Sequence, residues 1–358
     1  MKKINCIILL ICISVAASAQ NFSIIGKVVD SANGQPLSKA SAFCQNTTFG
    51  TVTNNDGLFY LNLPNGGYDL VISYTGYEKK LQRISNTQSN KDTIVFVMAP
   101  LDNSMEQVAV VASNEVADGW NKYGKFFTDN FIGTTPNAGE CVIQNPEALR
   151  FFYTKKRNRL KVTAKEDVVV VNNALGYKIR YQLDSFSYDY NNNVSQYTGY
   201  PFFEEMDSTE DVKTDWEKNR AKTYLGSRLH FMRALYDSMV VEEGFMVEKM
   251  DKGSRSTTAS KVENIYDTAN YYVDTSGVIM SWNGRYRVSY TKVHPDKKFL
   301  AEYKLPLNTV LQVTLLNIAD IFVIEQNGYF YDQYDVVNSG YWAWKKLAET
   351  LPYNYEYQ

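Results

Sequence analysis

The residues whose type and spacing are best suited to chemistry are acidic. Glu204 and Glu205 are adjacent, and further acids follow at Asp207, Glu210 and Asp211. Two carboxylates set about 5–10 Å apart across a cleft are the catalytic pair of glycosidases. Acids that precede a helix are also typical of its N-terminal end, where they interact favourably with the helix dipole. A glycan- or peptide-active hydrolase that uses Glu204 or Glu205 is therefore one of two functions that we consider.

Other patterns of catalysis and metal binding do not occur in the sequence. The two histidines, His230 and His294, are far apart, and there is no His-Glu-x-x-His motif, phosphate loop or Gly-x-Ser-x-Gly elbow. Residues 189–193 begin like a calcium loop, but Val194 and Tyr200 stand where an EF-hand needs glycine and glutamate. We expect no metal site and no cofactor, and we predict that residues 189–193 form the polar tip of a hairpin.

Aromatic residues are unusually frequent, with 27 Tyr and 18 Phe. Rings pack well on half-buried strands, and partly exposed rings also mark recognition sites. The stretches 197–203 and 329–334 combine rings with glycine in loop-like sequence. We predict that Tyr200, Phe202 and Tyr331 contribute to a ligand-binding surface. The alternative for each ring is a place in the core of a tyrosine-rich β-domain.

The overall composition is that of a globular protein with more than one domain. Of the 358 residues, 44% are hydrophobic and 21% are charged, and the net charge is −2. This balance argues against nucleic acid as a partner. The basic run from Lys155 to Lys161 indicates a solvated turn, with contact to anionic lipopolysaccharide as the alternative.

The N-terminus has the pattern of a secretion signal. Lys2 and Lys3 precede an apolar run, and Ala17-Ser18-Ala19 matches the small-x-small rule for cleavage. We predict a signal peptide over 1–19 and export to the periplasm or the outer membrane; lipidation at Cys12 is the alternative. No later stretch is long and apolar enough for a membrane helix, so we expect no transmembrane span in the mature chain. Cys44 and Cys141 then remain as the mature thiols, and whether they pair stays open.

Residues 23–98 have the pattern of short strands separated by turn residues, which is typical of a β-sandwich. The turn glycines Gly57 and Gly66 are predicted to need positive φ. Six motifs occur in order: Ile25-Gly26-Lys27-Val28, Gly34-Gln35-Pro36-Leu37, Gly50-Thr51-Val52-Thr53, Asp56-Gly57, Leu63-Pro64-Asn65-Gly66 and Ser73-Tyr74-Thr75-Gly76-Tyr77. This order resembles the carboxypeptidase-regulatory-like domain, which implies a transthyretin-like, non-catalytic sandwich.

The region after this sandwich is predicted to be β-rich with one long helix. Thr214-x-x-Glu217 is a capping-box pattern, apolar residues recur at helical spacing from Ala221 to Met239, and Gly244 ends the helix. A strand is predicted from Leu160 to Val171, and Asn283-Gly284 predicts a hairpin. Motifs such as Gly340-Tyr341-Trp342-Ala343-Trp344 resemble an uncharacterised region that accompanies this sandwich in bacterial envelope proteins.

Together these patterns predict a mainly β protein, α+β overall, with a transthyretin-like sandwich followed by a larger β-rich domain. The expected divisions are a signal peptide at 1–19, the sandwich at 20–100, a connector at 101–120 and the β-rich domain at 121–358. We predict an exported, non-catalytic binding or scaffolding protein of the cell envelope. Its partner would be an envelope protein or a glycan or peptide ligand. The hydrolase with Glu204 or Glu205 is the alternative.

Overall fold

The computed structural model describes residues 21–86, 93–101, 114–251, 258–274, 277–331 and 336–358. Strands account for 43% of the structure and helices for 19%, which confirms the mainly β class. The predicted signal peptide, the alternative lipidation site at Cys12 and most of the predicted connector lie outside the described residues. Among the helices that the structure describes, none is long and apolar enough to cross a membrane.

The first unit is a β-sandwich of two sheets. Its strands are β1 (Asn21–Asp30), β2 (Ser41–Cys44), β3 (Gly50–Val52), β4 (Leu58–Pro64), β5 (Gly67–Ser73), β6 (Lys80–Ser85) and β7 (Ile94–Met98). One sheet has the order β4-β1-β7 and the other has the order β3-β2-β5-β6. β1 pairs antiparallel with β4 and parallel with β7, so it is the centre of its sheet.

Alternation of side chains along β1 explains why this segment forms a sandwich. Phe22, Ile24 and Val28 are buried, whereas Ile25 is exposed. Successive side chains of a strand point to opposite faces, so the buried set faces the second sheet and shares a core with Leu70 and its neighbours. The turn before β4 is also as predicted. Gly57 has φ 71°, and a Cβ there would lie 2.5 Å from the Val28 carbonyl oxygen.

The second unit is a six-stranded antiparallel sheet with one long helix. Its elements are α1 (Gly119–Phe131), α2 (Pro136–Gly139), β8 (Cys141–Ile143), β9 (Leu149–Thr154), β10 (Arg159–Ala164), β11 (Val168–Asn172), β12 (Tyr177–Asp189) and β13 (Val194–Glu205), with 3-10 turns at Pro146–Ala148 and Lys155–Arg157. The order is β8-β11-β12-β10-β9, and β13 pairs with β12. Phe127 and Phe131 of α1 are fully buried in its core. The pairing of Asp189 with Val194 confirms the predicted hairpin tip.

The third unit has two further sheets. Its elements are α3 (Glu210–Tyr224), α4 (Arg228–Tyr236), β14 (Phe245–Met250), β15 (Ala259–Lys261), β16 (Tyr271–Asp274), β17 (Gly277–Met280), β18 (Gly284–Tyr290), α5 (Lys297–Glu302), β19 (Gln312–Ile318), β20 (Phe322–Ile324), β21 (Val336–Gly340) and α6 (Tyr341–Trp344), with a 3-10 turn at Leu347–Glu349. The sheets have the orders β15-β14-β18-β19-β21 and β16-β17-β20. Phe231, Trp282 and Phe322 belong to its core, which is separate from the core of the second unit. Within its described residues, the region predicted as one β-rich domain therefore contains two large hydrophobic cores and smaller clusters beside them.

The predicted single long helix is in fact two helices, α3 and α4. The break is at Gly226, whose φ is 72°, a conformation that ends a helix at little cost only for glycine. Ser227 then caps α4, because its side chain accepts a hydrogen bond from the His230 N–H at 3.1 Å. α3 also begins earlier than predicted, at Glu210, so Thr214 lies inside the helix.

Two strand predictions are also corrected. The predicted strand from Leu160 to Val171 is divided into β10 and β11, because Ala164 ends one strand and Val168 begins the next. Asn283-Gly284 does not close a hairpin: β17 pairs with β16 and β20, whereas β18 pairs with β14 and β19. The chain passes from one sheet to the other at this point, because β17 and β18 belong to different sheets.

Candidate functional site

The sandwich is held to the rest of the chain by the loop between β2 and β3. The Asn46 N–H donates to the Pro201 carbonyl at 2.7 Å, and the Phe203 N–H donates to the Thr47 carbonyl at 3.0 Å. On its other side the Asn46 carbonyl accepts from the Tyr353 N–H at 2.7 Å. This loop, residues 45–49, is a turn that lies between β13 and the C-terminal segment, and we call it the docking loop.

A cavity of about 330 Å³ opens beside this loop, where the three units meet. We call it the junction cavity. Its volume is at the lower end of the range for small-molecule sites, about 300–1,000 Å³. Its walls come from the docking loop, β13, α4, the chain after β20 and the C-terminal segment. The residues that line it include Asn46, Ser195, Tyr197, Ser227, Arg228, Gly328, Phe330, Trp342, Lys345, Lys346, Glu349, Leu351 and Tyr353.

Aromatic side chains supply much of the wall of the junction cavity. Tyr197 comes from one of the aromatic stretches identified in the sequence, and Phe330 comes from the other. Trp342 is held in place because its indole N–H donates to the Gly226 carbonyl at 2.7 Å. Rings that are fixed by packing and hydrogen bonds lose little conformational freedom when a ligand binds. The cavity can thus accept the apolar face of a ligand.

Arg228 brings a positive charge to the wall of the junction cavity. Its guanidinium lies 5.4 Å from the centroid of the Phe330 ring, and it makes no ion pair with a carboxylate of the described residues. Burial raises the pKa of the Tyr197 hydroxyl, and the nearby Arg228 charge opposes that rise. A half-buried guanidinium without an acidic partner is suited to binding a carboxylate or phosphate.

The other charged groups on the wall are already engaged. The Lys345 ammonium is 4.0 Å from the Glu349 carboxylate, and burial lowers the pKa of Lys345. The same pair also lines a second cavity of about 280 Å³. Lys346 contacts the side-chain oxygen of Asn130 at 3.5 Å. Arg228 differs from both lysines in having neither an ion pair nor a hydrogen bond among the described residues.

The structure places the three predicted ligand-binding rings at the contact between the sandwich and the other units. Phe202 is 8% exposed and packs 5.4 Å from the ring of Phe43. Tyr200 is half-buried beside it, with the Lys79 ammonium 5.2 Å from its ring centroid. Tyr331 is buried, and its hydroxyl donates to Glu325. These rings have partners within the chain, and their role in ligand binding stays a prediction.

Glu325 belongs to a polar cluster beneath the sandwich. Burial raises its pKa to about 7, Arg83 lowers the value and Asp274 adds to the rise. Close by, Asp69 accepts hydrogen bonds from the Tyr329 hydroxyl at 2.8 Å and from Gln45 at 2.9 Å. Burial raises the pKa of Asp69 as well, against the effect of these hydrogen bonds. At this contact, burial therefore disfavours the ionised form of both Glu325 and Asp69.

The two glutamates of the alternative catalytic site do not face each other. Glu204 and Glu205 are neighbours at the end of β13, so their side chains project to opposite faces of the sheet. Glu204 pairs with Arg180 at 3.0 Å, and Glu205 lies 3.6 Å from Arg220 on the other face. A glycosidase pair must meet across one cleft, and this geometry does not bring the two carboxylates together.

The histidines and cysteines have ordinary structural surroundings. His230 is buried; its Nδ1 accepts from the Gly226 N–H at 3.1 Å and its Nε2 lies 3.0 Å from Glu243. Burial lowers the pKa of His230. Cys44 and Cys141 are free thiols. Within the described ranges, no group of three or more acidic, histidine or cysteine side chains could hold a metal ion.

Sequence reasoning did not identify Arg228 or the junction cavity. One signal was present: Arg228 is the first residue of α4, directly after the Ser227 cap. A cation is unfavourable next to the positive end of a helix dipole, so its presence there calls for another explanation. The cavity itself is formed by residues distant in sequence, from Asn46 to Tyr353. No local pattern predicts such a meeting.

Comparison with known proteins gives a family match for the sandwich. Residues 24–110 match the family model of the CarboxypepD_reg-like domain. No curated protein matches the chain. Among solved structures, the Bacillus anthracis TIE protein is 13% identical over 53% of this chain and 32% of its own, with a TM-score of 0.18. A 9R-lipoxygenase from Cyanothece PCC8801 is 8% identical over 63% of this chain and 49% of its own, also with a TM-score of 0.18.

The chain spans less than half the length of either solved structure, and likeness at this level carries no argument about function. The resemblance of the region after the sandwich to an uncharacterised envelope domain stays a prediction. The family match and the two-sheet architecture agree on the N-terminal unit. Residues 24–110 are therefore a carboxypeptidase-regulatory-like domain, a module of the binding or scaffolding type.

Proposed function

We propose that the chain is an exported, non-catalytic binding protein of the cell envelope, and that its junction cavity holds an anionic ligand. The sandwich supports a binding or scaffolding role. The pattern Lys2-Lys3, apolar run and Ala17-Ser18-Ala19 supports export to the periplasm or the outer membrane. In this proposal the sandwich also serves as a scaffold, because its docking loop forms part of the cavity wall.

Arg228 is the observation that carries the proposal. It lines a cavity with aromatic walls, and it has no acidic partner among the described residues. A carboxylate or phosphate on the ligand would supply that partner through charge-assisted hydrogen bonds, worth about 1.5–3 kcal/mol. The ring or aliphatic part of the ligand would then lie against Phe330 and Trp342.

A retention experiment tests the proposal. Purified cell-wall peptides and acidic glycans are passed over the immobilised mature protein, and both retention and product formation are measured. We expect retention without turnover, and we expect Arg228→Gln to lose about tenfold or more in affinity. Arg157→Gln is the matched control, because Arg157 is exposed on a 3-10 turn and does not line the cavity. Equal retention by both variants would contradict the proposal.

The competing function, a glycan- or peptide-active hydrolase, is tested in the same experiment. The geometry does not support a hydrolase, because the Glu204 and Glu205 side chains project to opposite faces of the sheet. Product formation by the wild type that is abolished in Glu204→Gln or Glu205→Gln would replace the binding proposal with the catalytic one.

A further inference from the structure

The outer edge of β13 is only partly covered. Among the described strands β13 pairs with β12 alone, so its other edge presents unpaired backbone groups unless another segment covers them. The docking loop covers one end of this edge, through the hydrogen bonds at Pro201 and Phe203. This arrangement identifies which residues of β13 direct their backbone groups outward.

The remainder of that edge opens onto the junction cavity. Backbone groups along a strand alternate between its two edges with a period of two residues. Ser195, Tyr197 and Gly199 therefore present their N–H and C=O groups on the same side as Pro201 and Phe203. No backbone hydrogen bond from another described segment reaches these three residues. Ser195 and Tyr197 both line the cavity.

The docking loop occupies one end of the gap between β13 and the C-terminal segment, which we call the slot. Asn46 is bonded on one side to Pro201 of β13 and on the other side to Tyr353 of the C-terminal segment. Asn46 is a turn residue with φ 56°, so at this level the slot holds a single segment of the chain in a turn conformation. Asn46, Leu351 and Tyr353 all line the junction cavity, so the cavity continues the slot along β13 beyond the end of the loop.

From this juxtaposition we infer that the ligand is an extended peptide, which adds a strand to the free edge of β13 and places a carboxylate next to Arg228. A peptide backbone offers donors and acceptors at the spacing of the unpaired groups on Ser195 and Tyr197, whereas a glycan has no such regular repeat. The carboxylate is the C-terminus of the peptide or an acidic side chain. This inference rests on the proposed function and specifies its ligand class.

The test uses defined probes and two substitutions at one position. The probes are a pool of random octapeptides with free C-termini, the same pool with methyl groups on alternate backbone nitrogens, and trigalacturonic acid as an acidic sugar. Ser195→Pro removes one outward N–H, and proline is tolerated at a strand edge that faces away from its partner. Ser195→Ala keeps that N–H and removes only the hydroxyl, so it is the matched control. Thermal melts check that each variant is folded.

We expect the wild type to retain peptides from the unmodified pool and to bind the methylated pool about tenfold more weakly, because the methyl groups remove backbone hydrogen bonds. Ser195→Pro should lower peptide affinity severalfold, and Ser195→Ala should leave it unchanged. Equal binding of the two pools would overturn strand addition. Retention of trigalacturonic acid alone, dependent on Arg228, would overturn the peptide inference and leave the proposed function standing. If neither probe class is retained, both fail.

Discussion

Glu325 offers the sharpest test of the contact between the sandwich and the other units. It is 6% exposed, it lies against Gly67 at the start of β5, and it accepts a hydrogen bond from the Tyr331 hydroxyl. Burial raises its pKa to about 7. Glu325→Gln keeps the shape and an acceptor oxygen but cannot ionise. The substitution therefore removes the cost of burying a charge while the packing is retained.

The size of the effect follows from the two pKa values. The difference between the ordinary value of 4.5 and about 7 corresponds to about 3 kcal/mol, at about 1.4 kcal/mol per pKa unit. Below pH 4.5 Glu325 is protonated in both the folded and the unfolded chain, and no cost arises. Between pH 4.5 and 7 the unfolded chain releases the proton first, so the free energy of unfolding falls as pH rises. Above pH 7 the full loss is present.

Urea unfolding at pH 4.5 and pH 8, followed by tryptophan fluorescence, measures this difference. Between these two pH values the wild type should lose about 3 kcal/mol more stability than Glu325→Gln. Glu263→Gln, an exposed position, is the control and should follow the wild type. If Glu325→Gln shows the same pH dependence as the wild type, Glu325 ionises freely in the folded protein and the reasoning about its burial is refuted.

Three further predictions address the docking contact, the helix break and export. Phe202→Ala removes the ring that packs on Phe43 and should lower the free energy of unfolding by about 3 kcal/mol in urea titrations; a loss below 1 kcal/mol would place that ring outside the stable contact. Ser227→Ala should cost about 1 kcal/mol through loss of the α4 cap, whereas Thr209→Ala should be nearly neutral, because the Thr209 side chain makes no capping hydrogen bond. The mature protein from a native host should begin after Ala19 by mass spectrometry; a chain that begins at Met1 would contradict export by this signal.

The fold of the sandwich follows from local sequence because each strand carries its own alternation and each turn its own residues. Phe22, Ile24 and Val28 predict the buried face of β1, and Gly57 occupies the turn that needs its positive φ. In such a unit the local preferences and the global packing agree. The family resemblance read from the same residues is confirmed by the match over residues 24–110.

The later units were less predictable because long-range packing decides their pairing. Asn283-Gly284 has a strong local turn preference, yet β17 and β18 find partners in different sheets. The helical spacing from Ala221 to Met239 passes across Gly226, and only the positive φ of that residue in the folded chain divides it. Periodicity reports which face is apolar, but it does not report where the chain turns.

The candidate site was the least predictable part. The sequence indicated that the aromatic stretches 197–203 and 329–334 matter, and the junction cavity does lie between Tyr197 and Phe330. It could not indicate that Phe202 meets Phe43, a residue of another unit. Nor could it indicate that Arg228 has no acidic partner among the described residues, because that depends on where the neighbouring carboxylates lie in the folded chain.

The central claim is that Arg228 in the junction cavity binds the anionic group of a ligand. The most direct measurement is calorimetric titration of the retained ligand into wild type, Arg228→Gln and Arg157→Gln at low and high salt. We expect a Kd about tenfold or more higher for Arg228→Gln, a weaker salt dependence for that variant, and an unchanged Kd for Arg157→Gln. The same Kd for wild type and Arg228→Gln at both salt concentrations would contradict the claim.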